Sequence, residues 1–538
     1  MILPPKYVIS EKFIAAADIF VLLLFVMLAI FIRIRYIDLP LERDEGEYAY
    51  AGAEIANGFA PYETAYNMKF PGTYYVYAFI FTLFNKSITT IRISFLIIHL
   101  LNVLFVFLIT KKIFDSRRAG FLGCCFFILL NCSFTSFGLL GKAEPLVVLF
   151  SLAGIFTILV ANQRVRYKIL FYLLAGVLLG TGVMMKQNGI FFCFAGWIFL
   201  LKSKGWIKNS IIYFSGILIP AILLLFNLLI NNTFDTFYYF AIQYASEYSK
   251  LVNGNLGWMI LKGEFPKLFQ FNKPLFILSL ISIIVLLITT IRNKNQIPLI
   301  IFFVCSVLAV SSGLYFRPHY FLLVYPAISI ISAWFIYYIF TKPAFSQLKI
   351  VPNLLLLATL FYFIILQKSY IFEYDGKTAM RKIYHWTPFY ECRQLGNNIK
   401  SITKPSATIG LIGCEPEIAF YADRQLASGF MYLYPMFEKQ KYAMEMTNMF
   451  LSELEKNNPE IIIYSNVGYN SSENKPAQEL IEDWWKMRSV DYTLVENVSA
   501  FSHDQVKYLT GDSLNYQFDH WVAYIKVFKR NLANPQSR

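Results

Sequence analysis

The sequence predicts a polytopic α-helical membrane protein of about eleven spans, followed by a C-terminal extracytoplasmic α/β domain. Three observations predict it. Of the 538 residues 57% are hydrophobic, and mean hydropathy is +0.50, against roughly 45–50% apolar content in a soluble chain. Apolar runs of spanning length recur along the first two thirds of the chain. Beyond residue 370 the pattern shifts to short apolar runs that end in Gly or Ser, as buried strands do.

The spans fall at residues 13–33, 91–110, 118–137, 145–161, 168–185, 189–201, 209–230, 274–291, 297–313, 319–340 and 350–368. Most match the about 17–25 residues that crossing a bilayer takes, and the short sixth borrows from its flanks. The first run, from Phe13 to Ile32, is too long for a signal-peptide core and no small-residue cleavage pattern follows it, so it reads as a retained helix. The connecting segments alternate. One set is short and basic: Lys111, Lys112, Arg117 and Arg118; Arg164, Arg166 and Lys168; Lys202, Lys204 and Lys208; Arg292 and Lys294; Lys342 and Lys349. The other set, 36–90, 231–273 and everything after 369, is long, aromatic or acidic. The positive-inside rule puts the basic set in the cytoplasm, with the amino terminus inside and the carboxyl terminus outside. The formal charge of +14 is therefore read as orientation and contact with anionic membrane lipid, with no nucleic-acid partner. Richness in Ile, Asn, Lys, Phe and Tyr is the usage of an AT-rich bacterial genome, so the location expected is the bacterial inner membrane.

Within the first outer segment, 36–90, the acidic pair opens a short helix that continues through Ala49 to Ile55 and ends at Gly58 and Pro61. Thr73 to Phe84 is aromatic, apolar and too short to cross, which suits a helix lying in the interface. In the C-terminal part, Ser406 to Gly413 and Glu460 to Ser465 read as strands, Lys439 to Asn457 as a helix, and Trp521 to Phe528 as a final strand. The domains expected are thus 1–370 and 371–538. Of seven cysteines, Cys124, Cys125, Cys132, Cys193 and Cys305 lie in apolar helices as packing residues. Cys392 and Cys414 either pair, being outside the cytoplasm, or stay reduced. No Cys-x-x-Cys spacing occurs.

Chemistry-bearing residues gather at the outer ends of these spans. Asp44-Glu45 sits just past the first span; it is either a helix-start acid pair that complements the dipole or a general base with a neighbour that braces it, since adjacent helical side chains point about 100° apart. Lys69 either snorkels or binds a lipid phosphate. Glu144 begins a span beside Pro145. Lys186-Gln187 interrupts an apolar pattern, where a lysine is costly unless solvated or paired. Arg317, His319 and Tyr320 begin the tenth span, and a guanidinium there suits bidentate phosphate recognition. Cations that stabilise a departing phosphate, beside a carboxylate that takes a proton, suit group transfer from an anionic donor. With no glycine-rich phosphate loop and an outward site, the donor expected is a sugar on a membrane-bound polyprenyl phosphate. The expectation is that Asp44, Lys69, Glu144, Lys186 and Arg317 open onto one extracytoplasmic vestibule.

At these residues the chain resembles the polytopic GT-C glycosyltransferases, in particular the bacterial branch related to protein O-mannosyltransferases and lipid A aminoarabinose transferases. The matching pieces are Asp44-Glu45 with Tyr48, Lys69 followed by Pro71, Glu144 at a span start, Lys186-Gln187, and His319-Tyr320 followed by Pro326. The run Cys414-Glu415-Pro416-Glu417 through Arg424 resembles a segment recurrent in bacterial members. The resemblance implies inverting transfer from a polyprenyl monophosphate donor to a lipid, glycan or protein acceptor. Asp44 would be the catalytic base, Lys69 would bind the donor phosphate, Lys186 and Arg317 are further candidates for it, and Glu45, Tyr48, Glu144, His319 and Tyr320 would complete the substrate site. Metal use varies among GT-C enzymes, so a divalent ion is left open, with Asp44 and Glu144 as its ligands if one is bound. The chain departs from its relatives at Glu47, where some carry a basic residue, at Phe70, and at Glu144, where many have Asp. The rival function is a lipid-linked glycan transporter or flippase using the same cations; the paucity of charge at inner span ends beyond the basic loops weighs against it. A receptor for cell-wall glycan would leave the acid pair unexplained.

Overall fold

A computed structural model describes residues 10–163, 166–345, 348–385, 387–467, 473–501, 505–515 and 523–531. Seven helices are long and apolar enough to cross a membrane: Glu11–Arg35, Ile88–Phe114, Ala143–Ala161, Lys168–Met185, Trp206–Ile230, Gly254–Arg292 and Lys294–Leu314. Shorter apolar helices cover Gln187–Leu200, Tyr325–Phe340 and Val351–Leu366. The chain is a multi-pass membrane protein.

Three expected spans differ in detail. The third, 118–137, is a helix only over Arg117–Cys132 and is followed by a 3-10 turn at Phe134–Ser136. The tenth, 319–340, starts as a 3-10 turn over Pro318–Leu323 and becomes a helix only at Tyr325–Phe340. Pro318 and Pro326 each sit at the first positions of their segment, where a missing N–H is tolerated. The eighth, 274–291, is the second half of a Gly254–Arg292 helix that kinks at Asn272 (φ −126°, ψ 22°), two residues before Pro274. A proline ring clashes with the preceding turn and removes one hydrogen bond, which bends the helix there. The expected connecting segment 231–273 is consequently mostly helical, with a π-helical stretch over Tyr238–Tyr244.

The chain forms two compact units, neither continuous in sequence. The first comprises residues 1–37, 92–223 and 252–374. Its helices pack by close backbone approach. A Cβ on Gly176 would lie 2.1 Å from the Tyr213 carbonyl oxygen, and one on Gly216 would lie 2.3 Å from that of Leu173, so both positions require glycine where Lys168–Met185 crosses Trp206–Ile230. Buried polar side chains tie its elements together: Ser279 to Ser332 at 3.0 Å, Asn188 to the Ala309 carbonyl at 3.1 Å, and Arg33 to the Gly138 carbonyl at 2.5 Å.

The second unit comprises residues 38–91, 224–251 and 375–538, so the segment after the first span folds with the C-terminal region. Its centre is a six-stranded mixed sheet in the order β2-β1-β3-β6-β4-β5. The strands are β1 Thr408–Ile412, β2 Gln425–Leu426, β3 Ile461–Ser465, β4 Tyr492–Ala500, β5 Val506–Thr510 and β6 Ala523–Arg530. β1 pairs in parallel with β2 and β3, and the remaining pairs are antiparallel. β1 and β3 are the near-continuous apolar runs of the sequence, which a strand covered on both faces requires. The expected final strand at 521–528 is β6, with residues 521 and 522 outside those described. β2, β4 and β5 have no counterpart among the sequence expectations. The expected helix at 439–457 begins at Ala443 and ends at Asn457. Phe240, Phe430, Met436, Phe450, Ile462 and Trp484 share one buried apolar cluster. Cys392 and Cys414 are buried, free thiols, which settles the open alternative against pairing.

Candidate active site

The acidic segment becomes a helix over Arg43–Ala56, matching the expected short helix, and its start is a capping box. Glu42 accepts from the Glu45 N–H at 2.9 Å, and the Glu45 carboxylate accepts from the Glu42 N–H at 3.3 Å, so two of the orphan donors of a helix start are satisfied reciprocally. Glu45 is fully buried in this role. Asp44, one position earlier, keeps its side chain 32% exposed. The adjacent acids therefore diverge: one braces the helix and the other reaches solvent.

Glu47 lies one turn beyond Asp44 on the same helix face. It is 0% exposed and satisfied from three sides. Lys69 Nζ donates to Oε2 at 2.7 Å, the Tyr74 hydroxyl to Oε1 at 2.6 Å, and the Tyr432 hydroxyl to Oε2 at 2.9 Å. Lys69 also donates to Asp44 Oδ1 at 3.1 Å and sits 4.7 Å from the Tyr48 ring centroid. Burial opposes the charge on Lys69, but Asp44 and Glu47 together outweigh it, so its pKa lies well above the ordinary lysine value. Burial pushes the Tyr74 and Tyr432 hydroxyls well above the ordinary phenol value, and the Glu47 charge adds to it. Both remain neutral donors.

This acidic helix is fixed by the sheet. Cys414 and Glu415 follow the carboxyl end of β1, the end at which α/β sheets ordinarily take ligands. Here Arg43 occupies that place: its Nε donates to the Cys414 carbonyl at 2.8 Å, and a second guanidinium nitrogen lies 3.6 Å from Glu415 Oε1. A Cβ added at Gly46 would lie 2.6 Å from Glu417 Cβ, so glycine lets the two backbones touch. Leu426 donates its N–H to the Tyr50 hydroxyl at 2.9 Å, and Tyr66 donates its N–H to the Gly429 carbonyl at 2.7 Å.

The first unit carries the other candidates. Glu144 opens the Ala143–Ala161 helix, whose Pro145 carbonyl accepts from buried Asn102 at 3.0 Å. Lys186, the extended cap of Lys168–Met185, donates to Glu144 Oε1 at 2.5 Å and lies 3.9 Å from the Tyr320 ring centroid. His319 Nε2 is 3.9 Å from the same Glu144 oxygen. Glu144 is 1% exposed and His319 8%. Arg317 is exposed, with its guanidinium carbon 5.7 Å from the Tyr315 ring centroid. Each unit thus holds one lysine between a buried carboxylate and a tyrosine ring.

Asp44, Tyr48 and Lys69 come together in the second unit, with Glu45 turned into the cap beside them; Glu144, Lys186, His319 and Tyr320 come together in the first. Sequence reasoning passed over the anchoring role of Glu47 and over Tyr74, Arg43 and Tyr432. The three-residue spacing from Asp44 to Glu47 was a usable signal for the first. No local signal points to Tyr432, which is 385 residues from Glu47. Among the described residues no three of His, Cys, Asp and Glu come together to hold a metal ion. At Asp44 a divalent ion would compete with the Lys69 ammonium on Oδ1.

Comparisons with known proteins define the fold. The structure is similar to the Archaeoglobus fulgidus oligosaccharyltransferase in complex with Zn and sulfate, at 15% identity and a TM-score of 0.56, covering 91% of this chain and 73% of that one. It is similar to ArnT from Cupriavidus metallidurans bound to undecaprenyl phosphate, at 13% identity and 0.53, covering 92% and 99%. It is also similar to the archaeal oligosaccharyltransferase AglB from Archaeoglobus fulgidus in complex with an inhibitory peptide and a dolichol-phosphate, at 12% identity and 0.53, covering 93% and 75%. The fold is that of the GT-C membrane glycosyltransferases. More particularly, residues 68–230 match the family model described as dolichyl-phosphate-mannose-protein mannosyltransferase. Sequence comparison with curated proteins finds no match.

Proposed function

We propose that this protein is a glycosyltransferase of the bacterial inner membrane that moves a sugar from a polyprenyl-phosphate donor to an extracytoplasmic acceptor, with inversion at the anomeric carbon. The observation that carries the reading is Asp44: a partly exposed carboxylate on an otherwise buried acidic helix, with an ammonium held at 3.1 Å. Such a group is reachable, as a general base must be. Asp44 takes the proton of an acceptor hydroxyl as its oxygen bonds to the anomeric carbon. The bond from that carbon to the phosphate oxygen breaks, and the electron pair leaves with the polyprenyl phosphate.

The charge around the two clusters differs. Around Asp44 the acids Glu42, Glu45 and Glu47 outnumber the cations Arg43 and Lys69, which suits deprotonation and disfavours a phosphate. Lys69 is engaged by two carboxylates, so its foremost role in this reading is to hold Asp44 in place. At Glu144 the Lys186 ammonium sits on the carboxylate, with Lys142 two residues before it in sequence, which suits a phosphate donor. In this reading the basic loops face the cytoplasm and residues 375–538 lie outside, with lipid, glycan or protein as acceptor.

The test is transfer of a radiolabelled sugar from a polyprenyl phosphate to envelope extracts by the detergent-solubilised protein, with mass spectrometry of envelope glycans and glycolipids from cells with and without it. A new glycosidic bond that depends on the protein supports the reading. Movement of the lipid-linked sugar without a new bond would make the protein a flippase instead.

A further inference from the structure

The acidic helix docks where Cys414 and Glu415 follow β1. At the other end of the sheet lies an open cleft of about 1130 Å³, among residues that precede β1, β3 and β4 and residues that end β6. β1 is five residues long, and a strand rises about 3.3 Å per residue, so roughly 15 Å of sheet separates the two. The walls of the cleft are tied to backbone. Lys529 Nζ donates to the Ile402 carbonyl at 2.6 Å, the Tyr492 hydroxyl to that of Pro459 at 2.8 Å, and the Arg530 guanidinium to that of Asn458 at 2.9 Å. The Arg530 N–H donates to the Glu460 carbonyl at 2.9 Å, and the Asn531 N–H to that of Asp491 at 2.8 Å. A site held this way loses little freedom when a ligand enters.

The lining decides the class of ligand. Its cations are largely matched by acids. Arg488 Nε donates to Glu455 Oε1 at 2.8 Å, the Trp484 indole N–H donates to the same oxygen at 2.6 Å, and Lys529 Nζ lies 3.7 Å from Glu460 Oε1. Lys404 and Arg530 remain against Asp491, so a polyanion finds little cationic excess. An apolar ligand asks for a mostly apolar lining, whereas here paired charges, amides and hydroxyls surround a few apolar side chains. Leu454 and Trp484 are buried, while Ile402 is 38% and Val490 76% exposed. The exposed Asn458 side-chain amide makes no hydrogen bond among the described residues. A sugar ring has C–H patches bordered by hydroxyls that both donate and accept. The patches suit Ile402 and Val490, and the hydroxyls suit the paired charges, whose hydrogen bonds are the stronger kind. We propose that this cleft binds a neutral oligosaccharide. Under the transferase reading it holds a polymeric acceptor away from the hydroxyl that reacts; the binding itself does not depend on Asp44 being the base.

The test is titration calorimetry of the full-length protein, in a detergent without a sugar headgroup, with maltohexaose, chitohexaose and mannohexaose. Polyphosphate and hexa-alanine are titrated beside them. At least one of the three sugars is expected to bind. Ser401→Trp puts an indole into the cleft from an exposed position and is expected to weaken that binding by about tenfold or more. Met487→Ser, at a residue 69% exposed on the Trp484 helix and outside the cleft, is expected to leave it unchanged. If Ser401→Trp does not fold, Val490→Asp decides: a charge on the apolar wall is expected to weaken the sugar, and undiminished affinity overturns the proposal. The proposal is likewise overturned if none of the three sugars binds, if Ser401→Trp folds and binds as wild type does, or if polyphosphate or hexa-alanine binds in preference to all three. Sugar transfer is a separate measurement, so a protein that binds the oligosaccharide but makes no glycosidic bond would sink the transferase reading and leave the cleft assigned.

Discussion

Lys69 Nζ lies 2.7 Å from Oε2 of Glu47, a carboxylate with no exposure to solvent. Removing one partner of a buried pair leaves an uncompensated charge, which costs about 3–5 kcal/mol. Lys69→Ala is therefore expected to destabilise the protein by that order and to lose transfer. Adding Glu47→Gln should restore much of the stability without restoring transfer. Thermal melts of the single and double variants check this; a single variant that melts like wild type would contradict it.

Asp44→Asn preserves size at a partly exposed position. Stability is expected to stay within about 0.5 kcal/mol, as for ordinary surface changes, while transfer falls by about 10²–10⁴-fold with loss of the base. Steady-state rates at saturating donor, alongside a melting curve, separate the two effects.

Lys186→Ala removes the ammonium from Glu144, which is 1% exposed, and from the Tyr320 face. Binding of undecaprenyl phosphate is expected to weaken at least about tenfold, the equivalent of one charge-assisted contact. Pairing it with Glu144→Gln should recover stability and leave the affinity low. An unchanged affinity in Lys186→Ala would remove this lysine from the donor site.

Glu417 is buried beneath Gly46, and its carboxylate meets no donor stronger than the Cys392 thiol among the described residues. Burial, and then the neighbouring Glu415 charge, push its pKa up to about 8 from an ordinary 4.5. Because the folded state holds this proton more tightly than the unfolded chain, the stabilisation is complete below pH 4.5 and is lost as pH rises toward 8. Melting temperature is expected to fall across that window, and Glu417→Gln, which mimics the protonated form, should flatten this part of the fall. Parallel melts of both proteins from pH 5 to 9 read the difference.

Gly46→Ala would bring a methyl 2.7 Å from the Glu417 backbone nitrogen. Backbone cannot swing aside as a side chain does, so a cost of about 1–3 kcal/mol is expected, with reduced transfer as the acidic helix shifts. Denaturation and rate measurements on the same preparation test whether the two losses go together.

The membrane helices were legible because spanning a bilayer forces long apolar runs, a constraint written locally in the chain. Where a proline sits decides how such a run begins or bends, and this is why the segments near Pro274 and Pro318 departed from simple spans. β1 and β3 were legible for the same local reason, whereas β4 and β5 mix polar and apolar residues and owe their register to their neighbours. Asp44, Lys69, Glu144 and Lys186 stood out as charges where charge is costly.

What the sequence by itself determined is therefore the class of fold and the inventory of ionisable groups, since hydrophobic length and misplaced charge are both properties of neighbouring residues. Which acid is a cap, which is an anchor and which stays reachable was decided only by tertiary structure. Glu45, Glu47 and Asp44 are alike in the chain; burial and partners that arrive from as far away as Tyr432 make them different, because the cost of a carboxylate depends on what surrounds it in space.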